Sequence, residues 1–405
     1  MNIRNNVFFR KKELHNFCIY RFIFGISYSL MIPTIPLFFD SIGITTLAIG
    51  TVMSLYGISK TLTQMPFGIV SDTIGDKLTL MLALILMTFV PFAYTLTNNH
   101  LLASGIYVIQ GAILGMAAPA TFSILSRSLD RRKRGESTGL ASAVFTLGGG
   151  IGAAISGCIV AKLGNYNMVF YISSVGILVT FIYVGLQIGK INLIQVKVRF
   201  NTHKNNSRIK VIAEEIKRYN LKYKIIVLGA IAFLGDFIYG CIVALFHFYG
   251  QDVLGTSTVY TSAIISIYLL VFGLGAPIAG WVSDKIGNRR QLFLSFNVMN
   301  ITLLGLTFTR DIIIFTMIII MYFLGATFLN AALQSSLSEF GDNLKIKGIV
   351  FGIVGASESL GYSLGPIVSA YIYQLNKSWL FMGLLVVSIL VSIIYILLCK
   401  KACIT

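Results

Sequence analysis

Charge is scarce in this chain. Asp, Glu, Lys and Arg make up 12% of its 405 residues, and only 15 residues are acidic. A soluble chain carries about 25% charged residues, so a soluble globular protein is excluded. Cysteine is also sparse. Cys18, Cys158, Cys241, Cys399 and Cys403 show no paired spacing, which gives neither a disulfide framework nor a metal site. A phosphate loop, a metal-ligand cluster and a nucleophile–base set are all missing. An enzyme and an ATP-driven pump are therefore not expected, and no cofactor is implied. What fills the chain is apolar: 56% of residues are hydrophobic and the mean hydropathy is +0.82. Apolar runs of ~20 residues recur, long enough to cross a hydrocarbon core of roughly 30 Å. They leave no room for a separate soluble domain. In lipid a backbone must satisfy its own hydrogen bonds, so each run is expected to be a helix.

The first run, Phe17–Phe39, contains Arg21, Pro33 and Pro36 and lacks a small-residue cleavage site. It reads as a spanning helix, not a removable leader. Spans 2 to 6 are expected at 46–70, 78–96, 101–126, 137–161 and 168–188. Spans 7 to 12 are expected at 225–249, 259–282, 291–308, 312–337, 349–374 and 379–399. The fold class is thus an all-α membrane protein, with twelve transmembrane helices in two sets of six. The N-terminal bundle covers 1–189, a basic linker 190–224, and the C-terminal bundle 225–405. Within the linker, Ile212, Ile216 and Tyr219 share one helical face, which fits either a short helix on the membrane surface or a solvated tether.

The net charge of +17 could suggest nucleic acid, but its placement does not. All but five of the 32 Lys and Arg lie at one side of the predicted spans. Lys162, Arg310 and Lys377 lie opposite, and Arg21 and Lys60 lie inside. That is the bias of a cytoplasmic face. Both termini are then cytoplasmic, the chain is a multi-pass protein of the cell membrane, and its partner is the lipid bilayer rather than nucleic acid.

The chain also repeats itself. Gly68–Lys77 reads GIVSDTIGDK, and Gly280–Arg290 reads GWVSDKIGNRR. A shift of 212 residues pairs Asp40, Gly43, Tyr56, Gly68, Ser71, Asp72, Ile74 and Gly75 with Asp252, Gly255, Tyr268, Gly280, Ser283, Asp284, Ile286 and Gly287. A shift of 213 pairs Gly139, Gly148 and Gly152 with Gly352, Gly361 and Gly365. Duplicated membrane units of this kind mark secondary transporters.

On these motifs the whole chain resembles the major facilitator superfamily. The most specific elements are Gly68-x3-Asp72-x2-Gly75-x-Lys77 and Gly280-x3-Asp284-Lys285-x-Gly287-x-Arg289-Arg290. The first departs from the family pattern in having Thr73 and Asp76 where basic residues are usual, which predicts weaker interactions there. The glycines suit tight turns and close helix approach. The resemblance implies that Asp72 faces span 11 and Asp284 faces span 5, latching the halves together at the basic side. A carboxylate there meets the positive end of a helix dipole. Gly68, Asp72, Gly75, Lys77, Gly280, Asp284, Gly287 and Arg289 are thus the candidate gating residues. Span 4 has Tyr107-x-x-Gln110, with Tyr107 at a position where exporters of the family commonly carry an Arg tied to proton coupling. Span 5 follows the glycine pattern of the antiporter branch, with Ala153 and Ser156 departing from it. That pattern favours export, although small residues also serve plain helix packing.

Four charges fall within the spans, where charge is expensive unless it works or is paired. Lys60 lies 12 residues from Asp72, Asp236 lies 12 from Lys224, and Glu358 lies 11 from Lys347. All three are near mid-membrane, roughly 17–18 Å along their helices from the basic side. Arg21, nine residues from Lys12, is close enough to the interface for its head to reach water. By resemblance, spans 1, 2, 7 and 11 border the central cavity. Lys60, Asp236, Glu358, Arg21, Tyr107 and Gln110 are the candidate substrate-binding or coupling residues, and each charged one has a structural ion pair as its plain alternative. Tyr28, Tyr239, Tyr268, Asn330 and Gln334 supply further polar groups. His247, near the opposite end of span 7, is expected to be interfacial. The expectation is an alternating-access transporter, monomeric, exporting a polar or charged small molecule against an inward flow of protons. The alternatives are proton-coupled uptake of a metabolite and a non-transporting membrane sensor.

Overall fold

The computed structural model describes residues 12–128, 134–188, 222–338 and 347–402. The side chains of Met65, Asp72, 126–127, 134–142, 338, 347–349, 351–352 and 400–402 lie outside the description. So do the candidate linker helix and most of the basic loop between spans 4 and 5.

Twelve helical spans are present. Span 1 is two helices, Lys12–Ser29 and Met31–Ser41. Spans 2 to 6 are Thr46–Ile74, Asp76–Tyr94, His100–Ser128, Arg134–Leu163 and Tyr166–Gln187. Spans 7 to 12 are Lys222–Asp252, Thr258–Ile286, Asn288–Phe308, Ile312–Ser338, Lys347–Leu375 and Leu380–Ala402. The break at Leu30 is a departure from the single expected helix. Pro33 and Pro36 lack the N–H groups that would bond Ser29 and Ile32. The Thr34 hydroxyl donates to Leu30 O at 3.0 Å, beside the break.

Ten of the twelve spans are long and apolar enough to cross a membrane. Spans 2 and 11 fall short of that apolarity among the described residues, and they are the two that carry Lys60 and Glu358. Their position explains why they tolerate it. Spans 2 and 11 pack on each other across the seam between the halves, as do spans 5 and 8. Large apolar side chains of spans 3, 6, 9 and 12, such as Phe89, Val175, Ile301 and Leu397, point outward. Span 7 is buried without interruption from Gly240 to Gly250.

Small residues set the packing distances. Within the N-terminal half, a Cβ on Gly148 would meet Phe22 O at 2.5 Å, and one on Gly152 would collide with Ile26 O. Within the C-terminal half, Gly361 and Gly365 stand in the same way against Phe233 O and Phe237 O. The repeated glycine pattern thus packs span 5 on span 1 and span 11 on span 7. Gly150 and Gly157 serve the seam, against Leu270 and Ser262 of span 8.

The tight turns in the two repeated loops belong to Gly75 (φ 97°) and Gly287 (φ 84°), a region that favours glycine. Gly280 has open space around it, and Gly68 only Pro119 at 3.8 Å, so neither serves a close helix approach here. The first loop is also better tied than its departures suggest. Asp76 opens span 3, is buried, and accepts the Ser71 and Ser123 hydroxyls at 2.5 Å each. It pins spans 2, 3 and 4 together and sits where a helix dipole favours a negative charge. In the second copy Asn288 takes the same place and accepts from Ser283. Lys77 donates to Gly185 O at 2.8 Å, tying span 3 to span 6 within one half.

Thermal unfolding of three variants checks this account. Gly361→Leu forces span 11 away from span 7 and is expected to lose about 1–3 kcal/mol. Gly105→Ala, in open space on span 4, is expected to melt no lower than the parent. Asp76→Ala removes the acceptor shared by two hydroxyls and is expected to lose about 1–3 kcal/mol. A parent-like melt for Asp76→Ala would contradict the clamp.

Candidate functional site

At mid-depth the seam brings together three of the four charges. Lys60 is part-buried, and its Nζ lies 5.9 Å from the centre of the Tyr362 ring, across the seam. It acts attractively on both Asp236 and Glu358, without closing an ion pair within 4.0 Å to either among the described residues. Asp236 and Glu358 repel one another. Both line a small cavity of the C-terminal half, about 70 Å³, beside Tyr239, Tyr268, Tyr322 and Asn330. Arg21 is not part of this group. Its guanidinium lies 4.0 Å from the centre of the Phe145 ring, between spans 1 and 5, a cation–π contact.

A ribbon of aromatic rings runs through the same plane. Tyr107 stacks on Tyr56 with centroids 4.7 Å apart. Tyr56 meets Tyr362 across the seam at 5.9 Å, Tyr362 meets Tyr239 at 5.9 Å, and Tyr239 stacks on Tyr268 at 5.5 Å. Tyr107 is buried, so it serves this ribbon where related exporters carry a cation. Gln110 is buried as well and is fully engaged: Tyr94 donates to its Oε1 at 3.0 Å, and its Nε2 donates to Tyr28 at 3.5 Å. Tyr28 in turn bonds the Tyr56 hydroxyl at 2.8 Å. Gln110 thus positions Tyr28 rather than facing the cavity directly.

Tyr56, Tyr94 and Tyr362 were not singled out as site residues by the sequence. A signal was available for two of them. Tyr56 precedes Lys60 by four residues and Tyr362 follows Glu358 by four, so each shares a helical face with the charge. Tyr94 is placed by tertiary packing alone.

The seam contacts run from the end opposite the repeated loops to mid-depth. Gly50 abuts Ala370 and Pro366, Ser54 Oγ accepts from Ile367 N at 3.1 Å, and Gly57 abuts Ser363. On the other pair, Ser266 donates to Gly150 O at 2.7 Å. At the basic end Asp284 is exposed and bonds no described residue. The Arg289 side chain is exposed too, while its backbone O accepts from Tyr395 at 2.7 Å. The side chain of Asp72 is outside the described residues.

Known proteins agree with this architecture. The chain is similar to an uncharacterised MFS-type transporter of Methanocaldococcus jannaschii, 25% identical over 139 residues, which is 34% of this chain and 36% of that protein. It is similar to the quinolone resistance protein NorA of Staphylococcus aureus, 23% identical over 157 residues, 39% of this chain and 40% of NorA. The match therefore spans well under half the length of either relative. Among solved structures, the nucleoside transporter NupG superposes with a TM-score of 0.75 at 13% identity, over 95% of this chain and 99% of that one. The human organic anion transporter MFSD10 gives 0.68 at 14% identity, over 95% and 98%. These two share the fold. The family description Major Facilitator Superfamily matches residues 17–343, and with twelve spans packed about a charged seam the chain belongs to that superfamily: it is a multi-pass membrane transporter and not an enzyme.

Proposed function

We propose that the protein is a secondary active transporter that exports a polar or charged organic solute in exchange for protons, by rocking of the two halves about the mid-depth site. The observation that carries this reading is the placement of Lys60 from one half opposite Asp236 and Glu358 from the other. A charge at the centre of a bilayer costs about 2.5–3.5 kcal/mol. Three such charges amount to a sum comparable with the whole stability of a folded domain, about 5–15 kcal/mol. Packing gives no return for that cost, whereas a site that binds a charged solute and a proton requires it. The mixed signs suit a zwitterionic or anionic solute, with Lys60 taking the negative group. The partial similarity to NorA supports export. NupG, a nucleoside transporter, and MFSD10, an organic anion transporter, leave uptake as the second reading.

In this proposal the divisions are 1–189 and 225–405 with a linker between, the basic end and both termini face the cytoplasm of a cell-membrane protein, and the unit is a monomer. The seam contacts at the opposite end and the unbonded Asp284 fit a conformation open to the cytoplasm. Asp284 would latch that end only in the alternate state. A ligand that binds one state better shifts the population, and so does a latch. Asp284→Asn is expected to raise cysteine labelling at the basic end, because it removes a charge that favours only the closed form there. Unchanged labelling would remove Asp284 from the gate.

Inside-out vesicles test direction and coupling together. Gradient-driven uptake into them from a panel of charged and zwitterionic solutes is the expected result, and uptake only by right-side-out vesicles would favour the second reading. In the same assay Lys60→Gln is expected to weaken affinity for an anionic solute tenfold or more (about 1.4 kcal/mol) at parental expression. Glu358→Gln, which mimics the protonated acid, is expected to abolish accumulation while leaving solute exchange measurable. Full accumulation by both Glu358→Gln and Asp236→Asn would exclude proton coupling through this site.

A further inference from the structure

His247 does not sit at the interface as its place in the sequence suggests. It is fully buried in span 7, five residues before that helix ends. Its Nδ1 lies 2.5 Å from Thr261 Oγ1 of span 8. Thr261 has one hydroxyl proton and gives it to Thr258 O at 3.1 Å. In that arrangement the Thr261 oxygen accepts and Nδ1 carries the hydrogen, which makes Nε2 the basic atom of the ring. Nε2 is buried and has no partner among the described residues.

The arrangement around the ring is built. Gly250 lets Thr261 press against span 7, since a Cβ there would collide with the Thr261 methyl group. The Thr256 hydroxyl caps Gly250 O at 2.8 Å and fixes the turn between the spans. Packing does not call for it: in the repeat, His247 and Thr261 fall on Ile35 and Ile49, both buried and apolar. A buried acceptor with no partner is unfavourable, and the N-terminal repeat has apolar side chains at these two positions. The titratable neighbours on the packed spans, apart from exposed Asp40 near the end of Met31–Ser41, have partners of their own. Tyr249 bonds Arg310, Tyr260 bonds Thr316, and Asp252 holds Tyr373 and Lys377. Tyr322 stacks edge-on against Phe323. Asp236 lies eleven residues below His247, three turns along almost the same face of span 7.

The pair lies beside the seam, where Ser262, next to Thr261, meets Gly157 of span 5. Met31–Ser41, from the N-terminal half, packs against both span 7 and span 8. We propose that His247 is a proton-binding site reached only when the halves part at this end. Nε2 then takes a proton from hydronium, which leaves as water. The resulting imidazolium has no buried counter-charge, so the end recloses only after the Nε2–H bond breaks. The proton passes through the water of the opened end to a carboxylate oxygen of Asp236, the next base toward the membrane centre. This second step rests on the proton-coupled reading above, and the first does not.

The test uses the full chain in lipid nanodiscs with ¹⁵N-labelled histidine. The His247 signal is identified, among four histidines, by its loss in His247→Gln. Gly50→Phe props the far end open, because even a Cβ there meets Pro366 O at 2.6 Å. Gly157→Phe does so independently at the span 5–8 pair, where a Cβ meets Ser262 Cβ at 2.5 Å. Between pH 5 and 8 the parent is expected to hold the neutral form except in the fraction open at this end. Both propped variants are expected to titrate at Nε2. Titration in neither variant, or equally in parent and variants, would overturn the proposal. A titrating His247 in a protein whose transport ignores the pH gradient would uphold the site and remove the coupling step alone.

Discussion

A cation held across a seam from two carboxylates is the constraint on which this molecule turns. Lys60 is part-buried and closes no ion pair within 4.0 Å among the described residues. Its compensation comes from Asp236 and Glu358, which belong to the other half. Spans 2 and 11 are less apolar than the other ten for this reason. They can be, because their polar faces pack on each other along the seam, while apolar side chains such as Leu62 and Leu360 face outward. The close approach that makes this possible depends on Gly50 and Gly57. Remove the seam, and these helices would expose polar groups to hydrocarbon.

The same constraint explains the division of labour among the aromatic residues. A rigid ribbon from Tyr107 through Tyr56, Tyr362 and Tyr239 to Tyr268 lies beside the charges. Its rings give a cavity wall that is apolar on its faces and polar at its hydroxyls. The Tyr94–Gln110–Tyr28–Tyr56 hydrogen bonds fix the N-terminal part of it. The C-terminal part borders the cavity that holds both carboxylates. The two halves are alike in how they pack and unlike in what they present, with the mid-depth cation on one side and the carboxylates on the other.

Much of the fold was legible in the sequence because lipid leaves few choices. Hydropathy marks the spans to within a few residues, since each must cover the same thickness as a helix. The repeat marks the pseudo-symmetry, since Gly75 and Gly287 answer the same turn. The break in span 1 was hidden because prolines in a membrane helix are compatible with either a kink or a gap. Thr73 and Asp76 were misleading for a different reason. A motif read by charge predicts a weak loop, whereas Asp76 is held by Ser71 and by Ser123, a residue 47 positions away. Depth alone identified Lys60, Asp236 and Glu358 as a group. It put Arg21 nearer the interface but left it among the candidates, because the contact that removes it, with Phe145, is set by how span 5 packs on span 1. Gln110 was named, but its engagement by Tyr94 and Tyr28 depends on three helices meeting. His247 was placed at an interface because its distance from the helix end is visible and its burial by span 8 is not.

The central claim is that the halves close at one end and open at the other about the mid-depth charges. Spin-label distances measure this directly. One pair, on the exposed residues Leu163 and Ile312, reports the end opposite the repeated loops. A second pair, on exposed Thr73 and Lys285, reports the basic end. As pH and solute are varied in nanodiscs, the account predicts two distance populations at each end, with the first pair lengthening as the second shortens. A single fixed distance at each end under all conditions, or changes of the same sign at both, would contradict it.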